Sequence, residues 1–247
     1  MGLQLRATTW LAPGLPLQLF ETACRAIAET LDAEVSLRSD QRWSGPPAGE
    51  PDPFTTGDCD LGFLCLPSYR RLLALDPAPI RLVAAAPVPA DPRCEGRPVY
   101  FAELLVRAER GHRSLRDLAG GIIAGNDPES LSGAVALADA LARLDPPIAV
   151  EQKLTGSHHA SMAALAAREV DAAVVDSNTR LAAGLPEGCE VAEVWGPYPV
   201  QPVVLAARLD PAIAEQAAAS LLALGPESME GTGFVGFAPP VQAQILS

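Results

Sequence analysis

Two short segments in the second half of the chain carry the residue types best suited to gripping an anion: Asp127-Pro-Glu-Ser-Leu-Ser-Gly133 and Thr155-Gly-Ser-His-His159. Each lies between an expected strand and an expected helix. Ser130, Ser132 and Gly133 open one helix, and Ser157, His158 and His159 open the next. A helix start offers backbone N–H groups without intrahelical partners and the positive end of the helix dipole, so small hydroxyl and glycine residues there make an anion site. Two such starts turned to one point would hold a tetrahedral oxyanion. The same serines also suit plain N-caps, the commoner use of serine before a helix. His158 precedes Met162, Leu165 and Ala166 by four, seven and eight residues, so it heads the inward stripe of its helix. His159 aligns with Ala163 and Ala166 and fits nearly as well.

Other residues could wall such a site. Thr9 and Trp10 end the first expected strand, at the carboxyl edge where open α/β sheets receive ligands. Tyr100 follows Pro98 on an extended segment, where hinge packing and ligand contact are equally open. Signatures of catalysis are missing. The sequence has no GxSxG elbow, no phosphate loop ending in Gly-Lys-Ser/Thr, no HExxH and no EF-hand pattern. Ser157 beside His158 is not a catalytic dyad, because no third orienting group is identifiable. The five cysteines form no CxxC pair, and Cys24, Cys59 and Cys65 sit in apolar runs as buried thiols. No catalytic residue, cofactor or metal is expected.

The elements that must position these residues alternate along the chain. Strands are expected at Leu3–Thr9, Glu34–Arg38, Asp60–Leu64 and Arg81–Pro87, with helices at Leu17–Leu31 and Pro67–Leu75 and a loop over Ser39–Thr56. Val99–Arg107 reads as extended and Ser114–Leu118 as a short helix, with a strand around Ile122-Ile123. Helix Gly133–Leu144, strand Ile148–Leu154, helix Ser157–Arg168 and strand Ala172–Asp176 then form a second α/β unit. Trp195–Pro202 is extended, Val203–Ala207 a strand and Ala212–Leu224 a helix. Strands separated by helices imply parallel pairing. Two proline-bounded extended crossings, at about 100–106 and 194–202, imply two α/β lobes with a cleft between them. Residues 1–102 with 197–247 form the first lobe and 103–196 the second.

Composition narrows the partners. The 247 residues include 18 basic and 30 acidic side chains, for a net charge of −12. Nucleic acid and anionic membranes are excluded, since both need a basic field. No stretch approaches the roughly 20 apolar residues of a membrane span. An anion must therefore be held by local dipoles and hydrogen bonds, against the overall field. Met1–Trp10 reads as a first strand, not as a secretory signal, and the cysteine usage leans towards the cytoplasm.

The segments Asp58-Cys-Asp-Leu-Gly-Phe63, Gly96-Arg-Pro-Val-Tyr100, Ser130-Leu-Ser-Gly133, Thr155-Gly-Ser-His158 and Val170-Asp-Ala-Ala-Val174, in this order, resemble the phosphate/phosphonate substrate-binding proteins of ATP-binding-cassette (ABC) importers. The resemblance runs from about Leu5 to about Val235. It implies an α/β, two-lobed type 2 periplasmic-binding-protein fold that captures a small phosphorus oxyanion (phosphate, phosphite or phosphonate) and closes on it. It also implies an extracytoplasmic setting and an ABC permease complex as partner, the protein itself acting as a monomer. It puts Ser130, Ser132, the Leu131 backbone, Gly133, Ser157 and His158 at the oxyanion, places a contacting hydroxyl at Tyr100, and points to Ser68 or Tyr69 after the third strand. Where relatives that hold an aminoalkyl group carry acidic residues, this chain has Gln201, leaving Asp176 as one candidate carboxylate. The alternative is a cytoplasmic small-molecule enzyme or a sensor on the same two-lobed scaffold, since fold alone does not fix function.

Overall fold

A computed structural model describes residues 2–12, 14–40 and 44–241. The chain runs through β1 (Leu3–Thr9), α1 (Leu17–Leu31), β2 (Ala33–Ser39), α2 (Pro53–Thr56), β3 (Leu61–Phe63), α3 (Leu66–Leu73), β4 (Ile80–Leu82) and β5 (Ala86–Pro89). It continues with β6 (Val99–Arg107), β7 (Ile122–Gly125), α4 (Ala136–Ala142), β8 (Glu151–Leu154), α5 (His158–Ala166), β9 (Ala172–Asp176), α6 (Ser177–Ala183) and β10 (Cys189–Pro199). It ends with β11 (Val203–Ala206), α7 (Pro211–Leu222) and β12 (Phe234–Ala238). These elements fall into two compact units, residues 1–99 with 199–247 and residues 100–198.

The first unit is built on a five-stranded sheet of order β2-β1-β3-β11-β4. β1 pairs in parallel with β2 and β3, while β11 is antiparallel to both β3 and β4. The helix α1 buries Leu19, Phe20, Ala23 and Ile27 in a core with Leu5, Leu61, Val203 and, from α7, Ala217 and Leu221. Those α1 positions recur at helical spacing, so one face is apolar and the other open to solvent. The expected strand Arg81–Pro87 is two strands instead. β4 belongs to the large sheet, whereas β5 pairs, among the described residues, with β12. Pro87 and Pro89 lack backbone N–H groups, which confines β5 to a two-stranded ribbon. The expected loop over Ser39–Thr56 contains α2, begun by Pro53 and capped by the Asp52 carboxylate, which accepts from the N–H of Phe54 and of Thr55. Residues 41–43 of that stretch lie outside the described residues, as do residues 1 and 242–247 at the bounds of the expected first lobe.

The second unit has a five-stranded sheet of order β10-β6-β9-β7-β8. β7 is parallel to β8 and β9, and β6 is antiparallel to β9. Side chains alternate between its faces with the strand period of two. Ala102, Leu104, Val106, Ile123, Ala172 and Val174 pack on one side with Leu137, and Leu105, Ala124, Ala173 and Val175 on the other with Met162 and Leu165. Burial on both faces explains why β9 reads as an unbroken apolar run. Three other expectations shift here. Helix Gly133–Leu144 begins at Leu131 with one wide π turn to Val135 before α4 starts. β8 is shorter than Ile148–Leu154, and β10 reaches back to Cys189. The helix α6 was not expected at all.

Candidate functional site

The carboxyl ends of β7, β8 and β9 each lead, directly or through a short loop, into a helical turn, and the chemistry-bearing residues collect there. After β7 come Asn126 and Asp127, then Ser130. The Ser130 Oγ accepts from the Gly133 N–H at 3.1 Å, a regular cap. The Ala134 and Val135 N–H groups both donate to the Ser130 carbonyl, at 3.1 Å each, and this shared acceptor widens the turn. Gly133 is required by close approach: a Cβ there would lie 1.8 Å from Asn126 Oδ1 and 3.1 Å from the Asn126 backbone nitrogen.

After β8, Gly156 takes a positive φ of 87°, which lets the chain turn sharply into α5. The loop is tied to the end of β7: the Thr155 N–H donates to the Gly125 carbonyl at 2.9 Å and the Gly156 N–H to that of Asn126 at 2.8 Å. Ser157 caps α5, its Oγ accepting from the Ala160 N–H at 3.0 Å. These ties bring the two helix starts together, with Ser132 Oγ 3.3 Å from His158 Nε2. Ser130, Ser132 and His158 are all buried.

Burial, with the neighbouring His159 adding to it, drives the His158 imidazole down from the usual 6.5 to about 4, and a backbone interaction with Val174 offsets little of this. The ring is therefore neutral at physiological pH. Either Ser132 donates its O–H to Nε2, or an Nε2–H donates to Oγ and leaves the serine O–H free to turn to a ligand. Among the described residues His158 Nδ1 has no hydrogen-bond partner of normal geometry, so no carboxylate orients the ring. A base of such low pKa without an orienting group is poorly suited to activate a serine. The pair is better built to donate than to catalyse.

After β9, Asp176 Oδ1 accepts from the Asn178 N–H at 2.7 Å and so caps α6. The carboxylate read as a candidate partner for an ammonium thus anchors a helix start. Leu131 and Gly133 are buried in the π turn. Tyr100, at the start of the second unit, is 1% exposed and its ring lies 6.3 Å from that of Tyr198. Four candidates belong to the first unit. Thr9 Oγ1 accepts from the Leu11 N–H at 3.2 Å. Trp10 is buried against Phe54, and its Nε1 has no partner among the described residues. Tyr69 is buried in α3, and Gln201 lines a small apolar cavity with Leu11, Phe20 and Phe63.

Asn126 and Asn178 are the polar residues that sequence reasoning missed. Both lie within two residues of the end of a buried strand, the one signal that marks them. Asn126 Oδ1 and Asn178 Nδ2 have no hydrogen-bond partner among the described residues.

The model of a family described as the periplasmic substrate-binding proteins of phosphonate ABC transporters matches residues 54–245. The chain belongs to this family. Solved structures similar to it include a binding-protein component of an ABC phosphonate transporter from Pseudomonas aeruginosa. That match has a TM-score of 0.70 and 16% identity, over 100% of this chain and 84% of the other. PhnD1 from Prochlorococcus marinus in complex with methylphosphonate aligns with a TM-score of 0.73 and 14% identity, over 98% and 94%. The periplasmic aliphatic sulphonate binding protein SsuA from Escherichia coli aligns less well, with a TM-score of 0.58 and 18% identity over 89% and 69%. At such identities these likenesses show the fold, the type 2 periplasmic-binding-protein fold expected from the sequence. No curated protein matches the chain in sequence. As a member of this family the protein is a substrate-binding component of ABC transport. Among the described residues no helix is long and apolar enough to cross a membrane.

Proposed function

We propose that the protein captures a small phosphorus oxyanion (phosphate, phosphite or a short alkylphosphonate) for an ABC permease, as a monomer and without chemical change to the ligand. The observation that carries this is the 3.3 Å approach of Ser132 Oγ to His158 Nε2, which joins two strand-to-helix turns at one sheet edge. The hydroxyls of Ser130, Ser132 and Ser157, the backbone N–H groups of Leu131 and Gly133 and the His158 ring are the proposed oxyanion donors. Tyr100 and Asp176 of the second unit, and Thr9, Trp10, Tyr69 and Gln201 of the first, are proposed as further contacts. All the proposed oxyanion donors are neutral, which suits a chain of net charge −12 whose overall field repels the ligand.

Asp176 is engaged at a helix start, and Gln201 carries no charge. A desolvated ammonium without a partner is costly, so an amino-bearing phosphonate gains little over a methyl one. Calorimetric titration with phosphate, phosphite, methylphosphonate, 2-aminoethylphosphonate and sulfate tests this reading. Binding of at least one phosphorus oxyanion is expected, with an amino-over-methyl preference below about tenfold. Failure to bind any of the phosphorus probes would overturn the function, and a thousandfold amino preference would overturn the selectivity.

A further inference from the structure

An edge strand leaves a row of backbone N–H and C=O groups unpaired, and folded proteins blunt such a row with prolines, bulges or short length. Of the edge strands of the two five-stranded sheets, β4 has three residues, β8 has four, and β10 carries Pro197 and Pro199. β2 has none of these devices. It runs seven residues, Ala33–Ser39, without a proline, and its register with β1 is unbroken from end to end. Among the described residues β1 is its only strand neighbour.

The side chains of β2 alternate as those of a half-buried strand must. Val35 and Leu37 pack, partly buried, on the α1 core, while Glu34, Ser36 and Arg38 are exposed on the other face. A hollow of about 340 Å³ opens there, lined by Gln4, Leu5, Arg6, Glu34 and Ser36. Charges usually guard an edge by repelling a second copy of themselves. Here they do the reverse. Glu34 and Arg38 are opposite in sign and lie two residues to either side of Ser36. An antiparallel copy of β2 centred on Ser36 therefore sets Glu34 opposite the partner's Arg38, and Arg38 opposite the partner's Glu34. On the apolar face Val35 meets the partner's Leu37. Cross-strand pairs of both kinds stabilise an antiparallel ladder.

We infer that β2 is a self-association surface: two copies of the chain pair β2 with β2 about a twofold axis at Ser36, joining their five-stranded sheets into one. Such a contact uses up the same edge on both copies, so the assembly stops at two. Capture of the oxyanion is still the work of a single chain, because the Ser132–His158 joint lies in the second unit and β2 in the first. The net charge of −12 on each copy opposes their approach. Pairing is therefore a second equilibrium, reached as the concentration rises.

Sedimentation velocity on the wild-type chain, from about 5 to about 500 μM at about 0.15 M salt, tests this. The mass is expected to rise from 25.8 kDa towards twice that value and no further. Glu34→Arg and Arg38→Glu, made singly, set like charges opposite one another and are expected to weaken pairing by about tenfold or more. The two changes together restore opposite charges in exchanged positions, and pairing should return to within about threefold of wild type. If the variants do not fold, hydrogen exchange on the wild-type chain gives the reading: amides of residues 33–39 gain protection at the higher concentration and those of β8 and β10 do not. A mass of 25.8 kDa at every concentration would overturn the inference. So would a dimer that the single reversals leave intact, protection gained outside β2 alone, or growth beyond two copies, since each assigns the contact to another surface.

Discussion

The joints that follow the parallel strands differ between the two units. In the first unit α1 follows β1 with Pro16 at its N-cap, and α3 follows β3 with Cys65 there; neither has a side-chain cap bond. The neighbouring side chains, Leu15, Leu19 and Leu66, are buried and apolar. In the second unit the turns after β7, β8 and β9 are capped by Ser130, Ser157 and Asp176, each accepting from a backbone N–H. Among the described residues, buried polar atoms without partners lie at this edge on Asn126, His158 and Asn178, and at the first unit's edge on Trp10. The helix starts at this edge are thus packed in one unit and capped by side chains in the other. A site that must hold an anion against a net charge of −12 needs such fixed neutral donors.

The largest expected effect breaks the second pattern outright. Gly133→Ala would drive a methyl group into Asn126, whose backbone nitrogen cannot withdraw. A loss of about 3 kcal/mol in chemical denaturation is expected, with oxyanion binding lost as well, because overpacking a rigid turn shifts its backbone. A stable variant would show that the π turn is looser than its contacts imply.

The next effect follows from His158. Its value in the folded chain is about 4 against an ordinary 6.5, so between these pH values the folded state binds fewer protons than the unfolded one. Stability then falls as pH drops from about 6.5 to 4, by at most about 3 kcal/mol, and is unaffected by this group above about pH 7. Denaturation across pH 4–7 should show a flatter profile for His158→Gln. An unchanged slope would mean that His158 ionises freely and is less enclosed than its burial indicates.

Ser157→Ala removes the cap of α5 and should cost about 1 kcal/mol. The α1 start offers no equivalent side chain to remove, which is the contrast in its simplest form. The smallest effect concerns salt. Because the overall field opposes an anion, raising ionic strength screens repulsion, and oxyanion affinity should stay level or tighten by less than about threefold between 20 and 200 mM. A steep loss of affinity with salt would point instead to cationic side chains at the site.

How much of this was legible depended on whether the cause was local. β1, α1 and β9 lie where their patterns place them, because a seven-residue alternation, a helical stripe and a doubly buried run are each local signals. Ser130, Ser132 and His158 were legible as helix-start chemistry for the same reason. The π turn was not, since it depends on Asn126 pressing against Gly133, a contact made only once β7 and its following turn are folded. Nor was α6: seven residues make a weak pattern, and its anchor, Glu103, lies 77 positions before Arg180. Asn126 and Asn178 escaped notice because a missing partner leaves no mark in a sequence.

The central claim is that Ser132 serves a ligand as well as its own turn. Titration of the wild-type chain and Ser132→Ala with methylphosphonate tests it most directly, since Ser130 and Ser157 hold the caps in both proteins. Loss of a charge-assisted bond predicts binding weaker by about 1–3 kcal/mol, roughly 5- to 150-fold, with little change in the ligand-free melting temperature. Equal affinity in the two proteins would contradict the account and leave Ser132 as a neighbour of His158 and nothing more.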